Sequence, residues 1–134
     1  MTFAIKAEVR DRTAATFAFT AQKTMYGGKR IARGDRVFVF ASENEGGSGL
    51  IASGVVTRAT AIARNRAGAR QTPRVTIAVK RAARAKRRLG RTELRRFSDW
   101  HDGRPETNFK LYRQATNKIA GISEEAARFL RRYF

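Results

Sequence analysis

The sequence predicts a small α+β domain, a mostly antiparallel β-barrel with flanking helices. Three observations carry that prediction. Apolar residues alternate with period 2 in several short runs, RVFVFAS and RVTIAVK among them, and Gly- and Asn-rich turns separate the runs; this is the signature of strands. Near the end, SEEAARFLRRY instead repeats its apolar residues at i, i+3, i+4 and i+7, one face of a helix. The chain has 134 residues, the size of one domain with one modest core, so residues 1–134 are read as a single unit.

The elements follow in order. In TFAIKAEV, residues 2–9, Phe3, Ile5 and Ala7 share one face, a strand. Residues 12–22 read either way: Phe17 and Phe19 alternate, while Ala14, Ala15 and Ala18 tolerate a helix. Gly27, Gly28 and Gly34 punctuate a loop over 26–34. The run 36–42 is a strand whose faces are both apolar, Val37 and Val39 on one and Phe38 and Phe40 on the other, so both faces are expected to be covered. ENEGGSG, residues 43–49, is turn chemistry. Residues 50–62 form a long strand in which Gly54 marks a bulge or sharp bend. A basic loop over 63–73 leads to the strand 74–80, with Val75, Ile77 and Val79 on one face.

Residues 80–96 are expected to form a partly ordered basic arm with a short helical turn, because Gly90 interrupts them and only Leu89, Leu94 and Phe97 offer anchors. Residues 98–108 read as a loop. Residues 108–116 read as a strand or a short helix, with Phe109 and Leu111 on one face and Tyr112 opposite. Ser123 caps the last helix, Glu124 and Glu125 suit its positive end, and Ala126, Phe129, Leu130 and Tyr133 form its buried face.

Charge narrows the function. There are 29 Lys and Arg against 11 Asp and Glu, a net charge of +18. Residues 58–96 hold 14 of the basic residues and one acid, Glu93. A folded domain with this self-repulsion suits a polyanionic partner, nucleic acid first. The absence of cysteine and the single His101 exclude disulfides, thiolate metal sites and a Cys nucleophile. No apolar run approaches the roughly 20 residues of a membrane span. The reading is a cytoplasmic protein, with neither a cofactor nor a metal implied.

Two segments resemble the PUA-like β-barrel superfamily, and its EVE/ASCH branch, related to YTH domains, in particular. In IARGDRVFVFASENEGGSGLIASGVVTRATAI, residues 31–62, Gly34-Asp35, Phe40, Ser42 and Gly54 occupy the positions of that pattern. NKIAGISEEAARFL, residues 117–130, is similar to its ending, an apolar strand followed by a short capped helix. The resemblance implies a curved barrel with a cleft between barrel and helices. It also implies a reader of modified or flipped bases in RNA or DNA, or an enzyme acting on nucleotides or RNA as in ASCH relatives. An aromatic cage would draw on Trp100 with Tyr26, Phe97, Phe109 or Tyr112.

The base-pocket candidates are therefore Ser42, Asn44, Trp100, Tyr26, Phe109 and Tyr112. Each has a plainer reading beside it: Trp100 as a lid on the core, Ser42 and Asn44 as turn stabilisers. The phosphate-binding candidates are Lys29 and Arg30 in YGGKR, whose backbone N–H groups could cradle an anion, and Arg81, Arg84, Lys86, Arg87, Arg88 and Arg91. His101 beside Asp102 invites an acid–base reading, and Asp99, Asp102 and Glu106 a cation site; a surface loop accounts for both. The expected activity is nucleic-acid binding rather than catalysis. The alternatives are an ASCH-type nucleotide- or RNA-processing enzyme and a structural module that docks on RNA or the ribosome.

Overall fold

In a computed structural model of the chain, which describes residues 1–63, 72–95, 104–113 and 117–134, six strands close into a barrel. They are β1 (Thr2–Ala7), β2 (Thr16–Met25), β3 (Arg36–Ala41), β4 (Gly49–Ile62), β5 (Arg74–Arg84) and β6 (Lys118–Ile122), in the order β1-β3-β4-β5-β2-β6. The β1–β3 and β2–β6 pairings are parallel and the other four antiparallel. Three short helices accompany them: α1 (Arg91–Arg95), α2 (Arg104–Asn108) and α3 (Glu124–Arg131). A π-helical turn, Phe109–Arg113, continues α2.

The alternation read from the sequence fills the barrel. Phe3, Ile5, Phe17, Phe19, Val37, Val39, Val56, Val75, Ile77, Val79 and Ile119 meet inside it. β2 resolves the ambiguity of residues 12–22 in favour of a strand, because Phe17 and Phe19 enter this core and pair with Val79 and Ile77. Ala21 has a positive φ of 50° and interrupts the register after Phe19.

A second core lies outside the barrel. Ala4, Phe38, Phe40 and Ala120 on the outer faces of β1, β3 and β6 pack against Leu89, Leu94, Leu111, Phe129 and Leu130. The double-faced apolar pattern of β3 is explained by this helical cover. Burying a Phe contributes up to about 3 kcal/mol, so Phe38 and Phe40 are principal anchors of the lid.

Gly54 sits at a register shift in β4, as the sequence suggested. A Cβ there would lie 2.5 Å from the Lys80 carbonyl oxygen and 2.6 Å from Val79 Cγ1, so the bend needs a glycine.

Three expectations are corrected. Residues 81–84 extend β5, pairing with Gly54, Ser53 and Ala52 of β4; cross-strand pairing overrides the helical propensity of an Ala/Arg run. Beyond them Leu89 and Leu94 are fully buried and tie the basic segment to the second core. Within 98–108, residues 104–108 are helical rather than loop. In 109–113 the backbone is helical, so Phe109 and Leu111 part company: Leu111 is fully buried and Phe109 is exposed. The last helix agrees with its prediction, the Ser123 hydroxyl accepting a hydrogen bond from the Ala126 N–H at 3.1 Å.

Candidate functional site

The cleft between barrel and helices is built on two lysines. Lys6 and Lys118 are partners in the β1–β6 register, on the outer faces that the helices cover. They are 2% and 1% exposed. Lys6 Nζ stands 4.5 Å from the Tyr112 ring centre, and Lys118 Nζ lies 3.1 Å from Met25 Sδ and 5.4 Å from the Tyr26 ring. Burial lowers the pKa of both; at Lys6 the Arg91 guanidinium lowers it further, against the raising effect of Glu43. Among the described residues neither ammonium has a carboxylate within ion-pair distance.

Aromatic rings around the two lysines form two pairs. Phe40 and Tyr112 meet edge to face at 6.2 Å, and Tyr26 and Phe109 are 6.4 Å apart. Burial first, and the Glu43 carboxylate second, push the Tyr112 phenol well above its ordinary range. Two hydroxyls here are buried without a hydrogen-bond partner, Ser42 Oγ and Tyr112 Oη. Buried polar atoms in proteins are nearly always satisfied, and the Glu43 carboxylate lies close enough to Tyr112 to act on its phenol.

The π-helical turn that carries Tyr112 is braced from below. Glu106 accepts hydrogen bonds from the Ser123 N–H at 2.8 Å, from the Ser123 hydroxyl, and from Lys110 Nζ at 3.0 Å. Lys110 also donates to the Gly121 carbonyl at 2.8 Å. Burial works to raise the Glu106 pKa, but these donors outweigh it and hold the carboxyl below its usual value. Glu106 thus braces this turn, while Asp99 and Asp102, the other members of the expected cation site, lie outside the described residues.

On the barrel side, the turn after β3 joins α1. Glu43 accepts from the Arg91 N–H at 2.8 Å, and Asn44 Oδ1 accepts from the Arg91 guanidinium at 2.9 Å. Between α1 and the π-helical turn opens a cavity of about 380 Å³ lined by Arg91, Arg95, Asn108, Tyr112 and Arg113. That size suits a small-molecule group. Its lining offers cationic donors, one carboxamide and one aromatic ring.

Among solved structures, the chain superimposes over nearly its whole length on several barrels. Human THYN1 protein, in complex with 5-methylcytosine-containing DNA, matches with a TM-score of 0.64 at 13% identity, covering 96% of this chain and 94% of that one. A Pseudomonas putida protein matches at 0.66 and 12% identity over 99% of both chains. A hypothetical protein from Leishmania major matches at 0.62 and 15% identity over 98% and 92%. The fold is PUA-like. No family model and no curated protein matches the chain.

Of the base-pocket candidates, Tyr112 lines the cavity, Asn44 holds the Arg91 guanidinium at its edge, Tyr26 and Phe109 form a separate ring pair, and Ser42 is buried after β3. Trp100, and with it Phe97, Asp99, His101 and Asp102, lies outside the described residues.

The phosphate candidates disperse. Lys29 and Arg30 are exposed in a 3-10 turn, Gly28–Arg30, but the N–H groups of Arg30 and Ile31 bond to Gly27 and Gly28 carbonyls within that turn. The backbone cradle expected of YGGKR is therefore partly closed. Arg81 donates to the Thr13 and Ala14 carbonyls at 2.5 and 2.7 Å, and Arg84 to Thr13 at 3.4 Å. Arg87 donates to the Arg132 carbonyl at 2.7 Å over the Tyr133 ring. Arg88 lies 3.8 Å from Glu43 and 3.3 Å from Glu93, and Lys86 is exposed. Arg91 alone of the candidates lines the cavity.

Sequence reasoning missed Lys6, Lys118, Arg95, Asn108 and Arg113. The one signal for Lys6 was a lysine inside an otherwise apolar strand. Nothing local marks Asn108, because its place depends on the π-helical turn.

Proposed function

We propose that the chain is a nucleic-acid-binding domain of EVE type whose cleft admits a flipped base. The observation that carries this reading is the cavity beside Tyr112. Three arginines, the buried Asn108 and Tyr112 line it together, and no described acid does. Guanidiniums match phosphate oxygens in a planar fork. An Asn side chain can address a base edge with donor and acceptor together, and a Tyr ring stacks on any base. The fold likeness to a protein solved with 5-methylcytosine-containing DNA supports the same class of ligand.

The test is oligonucleotide affinity, by fluorescence anisotropy, from about 50 to 200 mM salt. Log K should fall with log salt by about 0.7–0.9 for each phosphate contacted. Replacing Arg91, Arg95 and Arg113 by Gln should make the slope shallower by about 2. A wild-type affinity that stays flat across this range contradicts the reading.

A further inference from the structure

Among the described residues the helical cover packs on β1, β6 and the Phe38–Phe40 part of β3 and draws no residue from β5 or β2, while Arg36 at the start of β3 is exposed. In a closed ring of six strands β5 stands across from β1. The outward residues of the wall around β5 follow from the register. One row runs Arg36–Val55–Lys80–Thr16 across β3, β4, β5 and β2. The next is Arg58–Ala78–Ala18, then Thr60–Thr76, then Ile62–Arg74–Lys23.

Three features of this wall point one way. No strand of the barrel contains an Asp or Glu, so its cations face no counter-charge within the sheet. Arg36, Arg58, Arg74 and Lys80 are exposed, and none forms an ion pair with a described residue. Between them stand small residues, Thr and Ala, which keep the surface low and offer hydroxyl donors. An apolar partner finds only Val55 and Ile62 here.

We propose that this β4–β5–β2 wall is a second nucleic-acid surface, which takes the sugar–phosphate backbone of a duplex without reading sequence. It relies on the nucleic-acid reading above for the identity of the polyanion, but uses none of the cleft residues. Same-face residues stand about 7 Å apart along a strand and strands about 4.8 Å apart, so the cations recur at regular intervals over the curved outer wall. Duplex phosphates carry one charge per roughly 1.7 Å of axis and can meet several of these cations at once. Because wall and cleft lie on opposite sides of the barrel, one molecule can hold two nucleic-acid segments.

The experiment compares three proteins on a short, fully paired, unmodified duplex across a salt series. One is wild type, one has Arg36→Gln, Arg58→Gln and Lys80→Gln, and one has Tyr112→Ala and Arg95→Gln in the cleft. The wall variant should show a salt slope shallower by up to about 2.7, and the cleft variant a slope within one contact of wild type. The charge-keeping variant, Arg36→Lys with Arg58→Lys, should restore the slope, which separates charge from folding. An unchanged slope in the wall variant overturns the wall and leaves the cleft reading standing. A loss confined to the wall variant, with single-strand affinity unaltered in the cleft variant, supports the wall and removes the cleft. Binding of a polyglutamate peptide with the same slope would reassign the wall to acidic protein partners and overturn it as a nucleic-acid surface.

Discussion

Lys6 on β1 and Lys118 on β6 stand opposite each other in the antiparallel register, both buried beneath the helical lid. Taking a charge out of water is costly without a partner. Tyr112 and Tyr26 ring faces offset part of that cost, since a cation over a ring gains about 0.5–2 kcal/mol. The pair therefore places two cations beneath the helical cover, behind the Tyr112 and Tyr26 rings.

Lys6→Met should stabilise the apo protein near pH 7 by ~1 kcal/mol, as apolar replacement of buried charge often does. The folded pKa of Lys6 lies below its ordinary 10.5, so above the folded pKa the unfolded chain holds more protons and wild-type stability rises with pH. The advantage of Lys6→Met should shrink as pH climbs from the folded value toward 10.5. Urea unfolding of both proteins at several pH values measures it; an advantage that widens with pH would contradict the account.

Glu106→Ala should destabilise by about 1.5–3 kcal/mol at pH 7, the worth of hydrogen bonds to a charged group. Its folded pKa is held below the ordinary 4.5, so the stabilisation is complete above 4.5 and disappears as pH falls through the folded value. Denaturant midpoints from pH 7 down to pH 3 should show the wild-type advantage closing. A constant difference would remove the carboxylate from the brace.

Tyr112→Phe separates stability from binding. The Tyr112 hydroxyl makes no hydrogen bond by geometry, although the Glu43 carboxylate is near enough to raise its pKa, so its removal should shift the midpoint by no more than about 1 kcal/mol. The same change should weaken an oligonucleotide that the hydroxyl contacts, while Tyr112→Ala should cost a further 1–3 kcal/mol or so of stacking. Calorimetry of folding and of binding on the same samples distinguishes the two effects.

Gly54→Ala should destabilise by about 1–3 kcal/mol through overpacking, because the new methyl meets the backbone of Lys80. A thermal midpoint equal to wild type would show that β4 can shift at this bend.

The strands β1, β3 and β4 and the last helix were legible because each carries its own periodicity and turn chemistry. The end of β5 was not: RAAR has no strand pattern, and it is held extended by Ala52, Ser53 and Gly54 of β4 on one side and by the Ala15 carbonyl, which accepts from the Arg81 N–H, on the other. The aromatic candidates Tyr26, Phe109 and Tyr112 were legible as ring-bearing residues near turns. The burial of Lys6 was hidden, because its cover comes from residues about a hundred positions later. Arg81, Arg84 and Arg87 looked free in sequence, and their carbonyl partners lie more than 40 residues away.

The central claim is that nucleic acid enters the cleft beside Tyr112. The most direct test is a titration of the isotopically labelled protein with a short single-stranded oligonucleotide, followed by amide chemical-shift changes. The account predicts saturable shifts at Ser42, Arg91, Asn108 and Tyr112 that weaken with salt. Shifts that leave these four residues unmoved, at concentrations where binding is saturated, would contradict it.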